Sequence, residues 1–423
     1  MSRHDVRHTG KDVMSPLQQR PDEDERVVIS PEFKADAPAQ YARLRAIGPI
    51  HPAKFAFGLK GWVVVGYDLA KEALTHPALL KDPLPAADAL TAAGYVLHDP
   101  SIGFGRQMLT TDPPDHTRLR RLVSSAFTPR RTALLAPRIE QIANDLIDAM
   151  PRTGHLDLVD AFNAPLPVTV IAELLGVPEE HRNDFHQWSS HALQTASPEH
   201  RSALTGLHEL LSDLIDRKRH HPQDDLLSAL VAARDDEDGR LSEAELLSTA
   251  MLLLVAGNET TVNLLGNAVL ALLHHPDQLR LLRDKPELTV GAVEEFLRFD
   301  GPVEHATNRY AATDLELGGV PIPRGSVVAV ALGSAAHDAP QTEGHDPAAL
   351  NVARPNARHI SFGHGIHHCL GAPLARLETA VALRTLLSRL PELELAVPAD
   401  SLAWIGSGFI RGVLSLPVRY RRA

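Results

Sequence analysis

Cysteine is nearly absent from this 423-residue chain. Its single sulfur, at Cys369, excludes intrachain disulfides, zinc ribbons and all-cysteine iron–sulfur clusters, each of which needs several thiolates. Positive charge is also short, with 42 Lys and Arg against 53 Asp and Glu and a formal net charge of −11. That balance argues against a nucleic-acid partner, whose phosphates require a basic face. The first 30 residues hold no apolar h-region, so they read as a mobile tail ahead of a domain at 31–423, with no secretory signal or anchor. The one membrane-like run, 246–275, carries Glu259 at its middle beside Asn258, Asn263 and Asn267. A carboxylate at mid-bilayer is costly, so the run reads as a buried helix and the protein as cytoplasmic, with no membrane contact.

What is present is a globular composition, 44% hydrophobic and 22% charged, with core enough for a large fold. Residues 55–66 read as two short strands joined by a Gly/Lys turn, followed by a helix from Asp68. An irregular Pro-, Ala- and Gly-rich stretch spans about 81–111, a candidate lid or substrate loop. From 112 to 288 helical periodicity dominates, at 115–126, 136–150, 165–175, 200–218 and 224–233. Strand signals return at 315–322 and 327–330, a helix at 370–390, and short strands from about 393. The expected architecture is one mainly helical α+β domain with a long central helix and small peripheral sheets.

The long helix opens at Ser242 with Glu245 at capping-box spacing. About 33 residues would span roughly 50 Å, the width of the whole protein. Its middle reads Ala256-Gly-Asn-Glu-Thr-Thr261. Gly257 costs about 1 kcal/mol in a helix, which points to something approaching the backbone closely. The Thr260 hydroxyl is placed to bond the Ala256 carbonyl and loosen the turn. Glu259 beside it is either a paired structural acid or a proton carrier.

Around the lone sulfur the chain reads Phe362-Gly-His-Gly-Ile-His-His-Cys369-Leu-Gly-Ala-Pro-Leu-Ala-Arg376. Gly363 and Gly371 flank the cysteine, and a helix starting just after it would turn N–H groups and its positive dipole end toward the sulfur. Pro373 suits that helix's first turn. Three readings are open: a small buried hydrophobe, zinc held by His364, His367, His368 and Cys369, or a haem iron held by the Cys369 thiolate. The third explains the glycines.

This segment closely resembles the haem-binding signature of the cytochrome P450 family, in its soluble bacterial, actinomycete-like form. Ala256-Gly-Asn-Glu-Thr-Thr261 resembles that family's oxygen-activating turn, Glu295-Phe-Leu-Arg298 its E-x-x-R pair, and Asp112-Pro-Pro-Asp-His-Thr-Arg-Leu-Arg-Arg121 the segment leading into a haem-contacting helix. The resemblance runs from about residue 30 to the carboxyl end. It implies haem b with Cys369 as axial iron ligand, and His116, Arg120, Arg309 and His367 on the propionates. Without haem, His116 and Arg120 would be an ordinary solvated helix face. Phe362 is implied near the thiolate, and Glu259 with Thr260, at the Ala256–Gly257 turn, as the acid–alcohol pair that handles protons. Glu295 and Arg298 are implied as a buried structural pair joined by a further arginine. Here the chain departs from the pattern, with Ala349 in that arginine's place and Arg354 or a neighbouring histidine as the candidate replacement. The stretch 339–345 looks altered in length.

The implied activity is monooxygenation, one atom of O2 entering an apolar small molecule such as a macrolide, terpene or steroid-like secondary metabolite by hydroxylation or epoxidation. The variable segments expected to line its pocket, 81–107 and about 166–197, are mostly apolar or small. With no reductase-like nucleotide motif in the chain, electrons would come from a ferredoxin and ferredoxin reductase using NAD(P)H, docked near a basic patch of Arg118, Arg121 and Arg376 on a monomer. The alternatives are a haem-thiolate binding or sensor protein, which would not need Glu259 and Thr260, and a zinc hydrolase built on the His/Cys cluster.

Overall fold

In the computed structural model, residues 26–94, 107–126, 132–193, 198–232, 234–235, 239–340, 345–406 and 408–423 are described. The central helix, Glu243–His274, organises the molecule. Its capping box forms as the spacing predicts: Ser242 Oγ accepts from the Glu245 N–H, and Glu245 Oε2 accepts from the Ser242 N–H. At 1.5 Å per residue its 32 residues span about 48 Å. Leucine, valine and alanine line nearly its whole circumference, so it is buried among the helices Pro165–Leu175, His200–His220, Thr289–Asp300 and Ala372–Arg389 rather than lying on them as an amphipathic strip. No described helix is long and apolar enough to cross a membrane.

A six-stranded sheet lies apart from this helical body, in the order Val27–Val28, Ile50–Lys54, Lys60–Val64, Val327–Val330, Arg309–Ala311, Leu79–Leu80. It takes in Val27 and Val28, ahead of the expected domain start at 31; residues 1–25 of the expected tail lie outside the described residues. The hairpin sits earlier than expected. Its first strand is Ile50–Lys54, and 55–59 form the connection, where Phe57 (φ 56°) and Gly58 (φ 76°) both take left-handed backbone. The aromatic pair Phe55 and Phe57 imitates strand alternation in the sequence, although both lie in the connection.

The stretch read as irregular from 81 contains a helix, Ala87–Ala92, nucleated by its alanines; 95–106 lie outside the described residues. At the carboxyl end the expected short strands form, and Pro417–Arg421 pairs with Glu394–Leu395. On its other edge it pairs with Thr153–Asp157, a strand too polar for hydropathy to reveal. The altered segment 339–345 is likewise outside the described residues at 341–344.

Candidate active site

The loop around Cys369 is set by two glycines whose backbone no other residue adopts easily. Gly363 (φ 76°) and Gly365 (φ 75°) turn the chain so that the Cys369 N–H donates to the Phe362 carbonyl at 2.8 Å and the Gly363 N–H to the Ile360 carbonyl at 2.7 Å. A Cβ on Gly365 would come within 2.7 Å of Thr75 Cγ2, so the loop also packs tightly on the helix Tyr67–Thr75. Gly371 has an ordinary backbone; a Cβ there would lie 3.8 Å from the sulfur, and its absence keeps that flank open. Gly371 caps the helix Ala372–Arg389, with Pro373 in the first turn as predicted, and the N–H groups of Gly371 and Ala372 point at the sulfur.

Cys369 is exposed, yet protein surrounds it closely enough for burial to push its thiol pKa up. Both hold if the sulfur lines an internal opening rather than the outer surface. Burial outweighs the N–H groups of Gly371 and Ala372 and the charges of Arg120 and Arg376, which pull toward the thiolate as expected. A metal ion on the sulfur would settle the charge, since a coordinating thiol is deprotonated outright.

A second side of the same kind of opening appears midway along the central helix. Ala256 and Gly257 are exposed although most of their helix is buried. A Cβ on Gly257 would meet only Ile171 Cδ1, at 3.8 Å, so no packing within the protein requires the glycine. Thr260 Oγ1 donates to the Ala256 carbonyl at 2.8 Å as expected, but the helix runs on unbroken; the flanking backbone bonds and close packing override the loosening. Glu259 is held by Asn263, whose Nδ2 donates to its carboxylate at 2.9 Å and to its backbone carbonyl at 2.7 Å. Burial raises the Glu259 pKa, against the pull of that amide.

Cations from distant parts of the chain converge beside the cysteine loop. The ring of buried His116 and that of half-buried His367 lie 4.2 Å apart. Among the described residues neither nitrogen of His116 nor Nε2 of His367 has a hydrogen-bond partner. Arg309, buried on its strand, has its pKa lowered to about 10 by burial. Arg120 donates to the His368 carbonyl at 2.6 Å. Burial, with the positive field of His116, Arg309, Lys81 and Arg120, holds His367 down at about 2.

Lys81 was not anticipated. Its ammonium is fixed by the carbonyls of Thr307 and Asn308 at 3.0 and 3.1 Å, which steadies the approach to Arg309, and nothing in its local sequence marks it. Against these cations stands Asp112, which accepts from the backbone N–H groups of Lys81 and Asp82. Orphaned buried nitrogens inside a cationic cluster are a cradle for a buried anion, and a pair of carboxylates fits them.

The Glu295 site is complete. Arg298 grips Glu295 with two bonds, 2.7 and 2.8 Å, and Arg354 adds a third at 2.9 Å, all three side chains being 0–1% exposed. Arg354 is therefore the replacement for the missing arginine. Ala349 contributes its backbone, its carbonyl accepting from Arg298 at 3.0 Å and from Arg354 at 2.8 Å.

The expected basic patch does not form as such. Arg118 pairs with Glu245, and Arg376 makes a bidentate pair with Glu294 at 2.6 and 2.9 Å while stacking on Phe362 at 4.4 Å. Both charges are cancelled by acids that sit far off in sequence. The zinc reading also fails, because among the described residues no three His, Cys, Asp or Glu side chains group as a metal site.

Comparison with known proteins agrees with this geometry. The sequence model of the family described as cytochrome P450 matches residues 167–398. The chain is 46% identical over 397 residues to the cytochrome P450 monooxygenase PikC of Streptomyces venezuelae, covering 93% of each. It is 45% identical over 399 residues to 6-deoxyerythronolide B hydroxylase of Saccharopolyspora erythraea, covering 92% of this chain and 97% of the relative. The solved structure of the ligand-free P450 monooxygenase TamI matches with a TM-score of 0.84 at 45% identity, over 93% of this chain and 94% of TamI.

Proposed function

The chain belongs to the cytochrome P450 family and is a haem b monooxygenase of secondary metabolism, and from that premise we propose what its own residues do. Cys369 would hold the haem iron through its thiolate. His116, Arg120, Arg309 and His367 take the propionates, which supply the partners that the orphaned ring nitrogens of His116 and His367 need. Haem b, when bound, supplies the activation of O2 and the insertion of one oxygen atom into the substrate.

The protein supplies place and protons. Thr260 spends its only hydroxyl hydrogen on the Ala256 carbonyl, so toward the opening it presents an acceptor. It holds a donor in position rather than giving a proton itself. Glu259, raised in pKa by burial, is the group that gives one, and Asn263 fixes its carboxylate. Gly257 leaves room on the same turn, and Ile171 supplies an apolar wall opposite it. Such a wall suits a medium-to-large apolar molecule, and a macrolide, terpene or steroid-like compound is the proposed substrate class. One relative is named a 6-deoxyerythronolide B hydroxylase, which agrees with a macrolide-sized substrate.

Electrons come from an external donor, proposed to be a ferredoxin with its NAD(P)H-dependent reductase, meeting a cytoplasmic monomer near exposed Ile366 on the cysteine loop. With Arg118 and Arg376 already paired, an acidic donor would have to compete with Glu245 and Glu294 for them.

The orphaned histidine pair beside the cysteine loop is the observation that carries this reading. Its test is a carbon monoxide difference spectrum of the haem-loaded protein and of Cys369→Ala. A thiolate-type band in the parent and its loss in the variant are expected; survival of that band in the variant refutes the ligand assignment. Soret shifts across a natural-product panel then identify the substrate.

A further inference from the structure

Glu259, Asn263 and Asn267 follow one another at i, i+4 and i+8 along one face of the central helix, with Gly266 on the same face. Opposite Gly266 stands Asn163, at the end of the π-helical turn Val159–Asn163 and 0% exposed. A Cβ on Gly266 would lie 3.4 Å from its Nδ2. Among the described residues neither polar atom of the Asn163 amide has a partner, and neither does Asn267 Oδ1. A buried polar atom left unpaired costs about 1–3 kcal/mol, so one on this helix face and two on the residue opposite it call for a partner, and internal water is the usual one.

The face is also walled and has an outlet. A Cβ on Gly412 would fall 1.8 Å from Asn263 Oδ1, so the backbone there presses directly on the amide. Asn267 Nδ2 donates to the carbonyls of Asp300 and Arg411 at 3.0 and 3.1 Å. Those two residues are joined by an ion pair, and both line a small surface pocket, partly open to solvent, together with Glu304 and His337. None of the residues lining that pocket belongs to the Cys369 site.

We infer that Asn163, Asn263 and Asn267 hold a chain of internal waters that carries protons from the pocket at Asp300 and Arg411 to Glu259. The asparagines do not titrate. A proton enters from solvent water, passes between waters, and replaces the one Glu259 releases, so charge and atoms balance over each transfer. The inference rests on the reading of Glu259 as proton donor.

The test is turnover of the reconstituted holoenzyme. Asn163→Leu keeps the side chain's shape but fills the seam with an apolar group. It should lower product formed per NAD(P)H consumed several-fold and enlarge the solvent deuterium isotope effect, while Asn163→Ser, which keeps a polar group and leaves space for water, retains most of the coupling. Glu259→Gln, run alongside, separates the two levels. If it leaves coupling and isotope effect unchanged, the reading of Glu259 fails and the inference with it; if it moves both and folded Asn163→Leu moves neither, the seam alone is refuted. Should Asn163→Leu not fold, a high-resolution crystal structure of the parent holoenzyme decides: ordered waters on Asn163 and Asn267 are expected, and a dry seam overturns the proposal.

Discussion

Two buried charge clusters in this protein are built from similar groups and end in opposite states. At Glu295 the arginines outnumber the acid, but carboxylate and backbone carbonyls accept nearly everything they donate; Arg354 Nη1 alone lacks a partner among the described residues. Around His116 and His367 the cations Arg120, Arg309 and Lys81 gather with Asp112 against them, and ring nitrogens of both histidines go unpaired among the described residues. A cluster that closes on itself braces the fold. One left open is built for something the polypeptide does not supply.

The comparison can be broken first at its closed member. Glu295→Gln leaves Arg298 and Arg354 buried without a countercharge, and about 3–5 kcal/mol of stability should go, read as a lower denaturation midpoint with poor haem incorporation. A variant as stable as the parent would mean that the carbonyls alone suffice. At the open cluster the sign should depend on haem. Arg309→Met relieves the repulsion of Lys81 but gives up the bond to the Leu74 carbonyl and the attraction of Asp112, so the haem-free protein should melt close to the parent. Haem retention should weaken by about 1.5–3 kcal/mol, roughly 10- to 150-fold faster loss to a haem-scavenging protein. Equal haem loss from both proteins would remove Arg309 from the cradle.

The smallest effect belongs to a third, half-exposed cluster. Despite the cost of its partial burial, the bonds from Arg376 and His359 hold the Glu294 carboxyl down at about 2, against 4.5 unfolded. A depressed carboxyl stabilises above its unfolded pKa, and that contribution is lost as pH falls from about 4.5 toward 2. Glu294→Gln should therefore cost about 1–2 kcal/mol at neutral pH, after solvent screening, and flatten the acid limb of the stability curve. An unchanged acid limb would show that the pair adds nothing.

How much could be read in advance follows the range of the interactions. The cysteine loop was legible because its determinants lie within a few residues: glycines for positive φ, a proline for the first helical turn, a sulfur between them. The capping box and most helix ends were legible for the same reason. The strand at 153–157 was not, because its partner lies more than two hundred residues away and its own residues carry no apolar alternation. Lys81 and Asn263 were missed as site residues since a lysine after a strand and an asparagine in a helix are ordinary until their neighbours are known. The basic patch failed in the converse way, because Glu245 and Glu294 reach Arg118 and Arg376 only in the folded chain.

By itself, then, the sequence determined the family, the sulfur at 369, the acid and alcohol at 259 and 260, and the mostly helical architecture, because each rests on local spacing. The tertiary structure alone decided that Arg354 completes the Glu295 cluster, that the rings of His116 and His367 meet beside Arg120 and Arg309 with ring nitrogens unpaired, and that amide atoms of Asn163 and Asn267 are buried without partners among the described residues. Those are facts about which charges and amides meet across long sequence separations. Composition and periodicity carry no record of such meetings, since the energy of a buried polar group depends on its partners and not on its position in the chain.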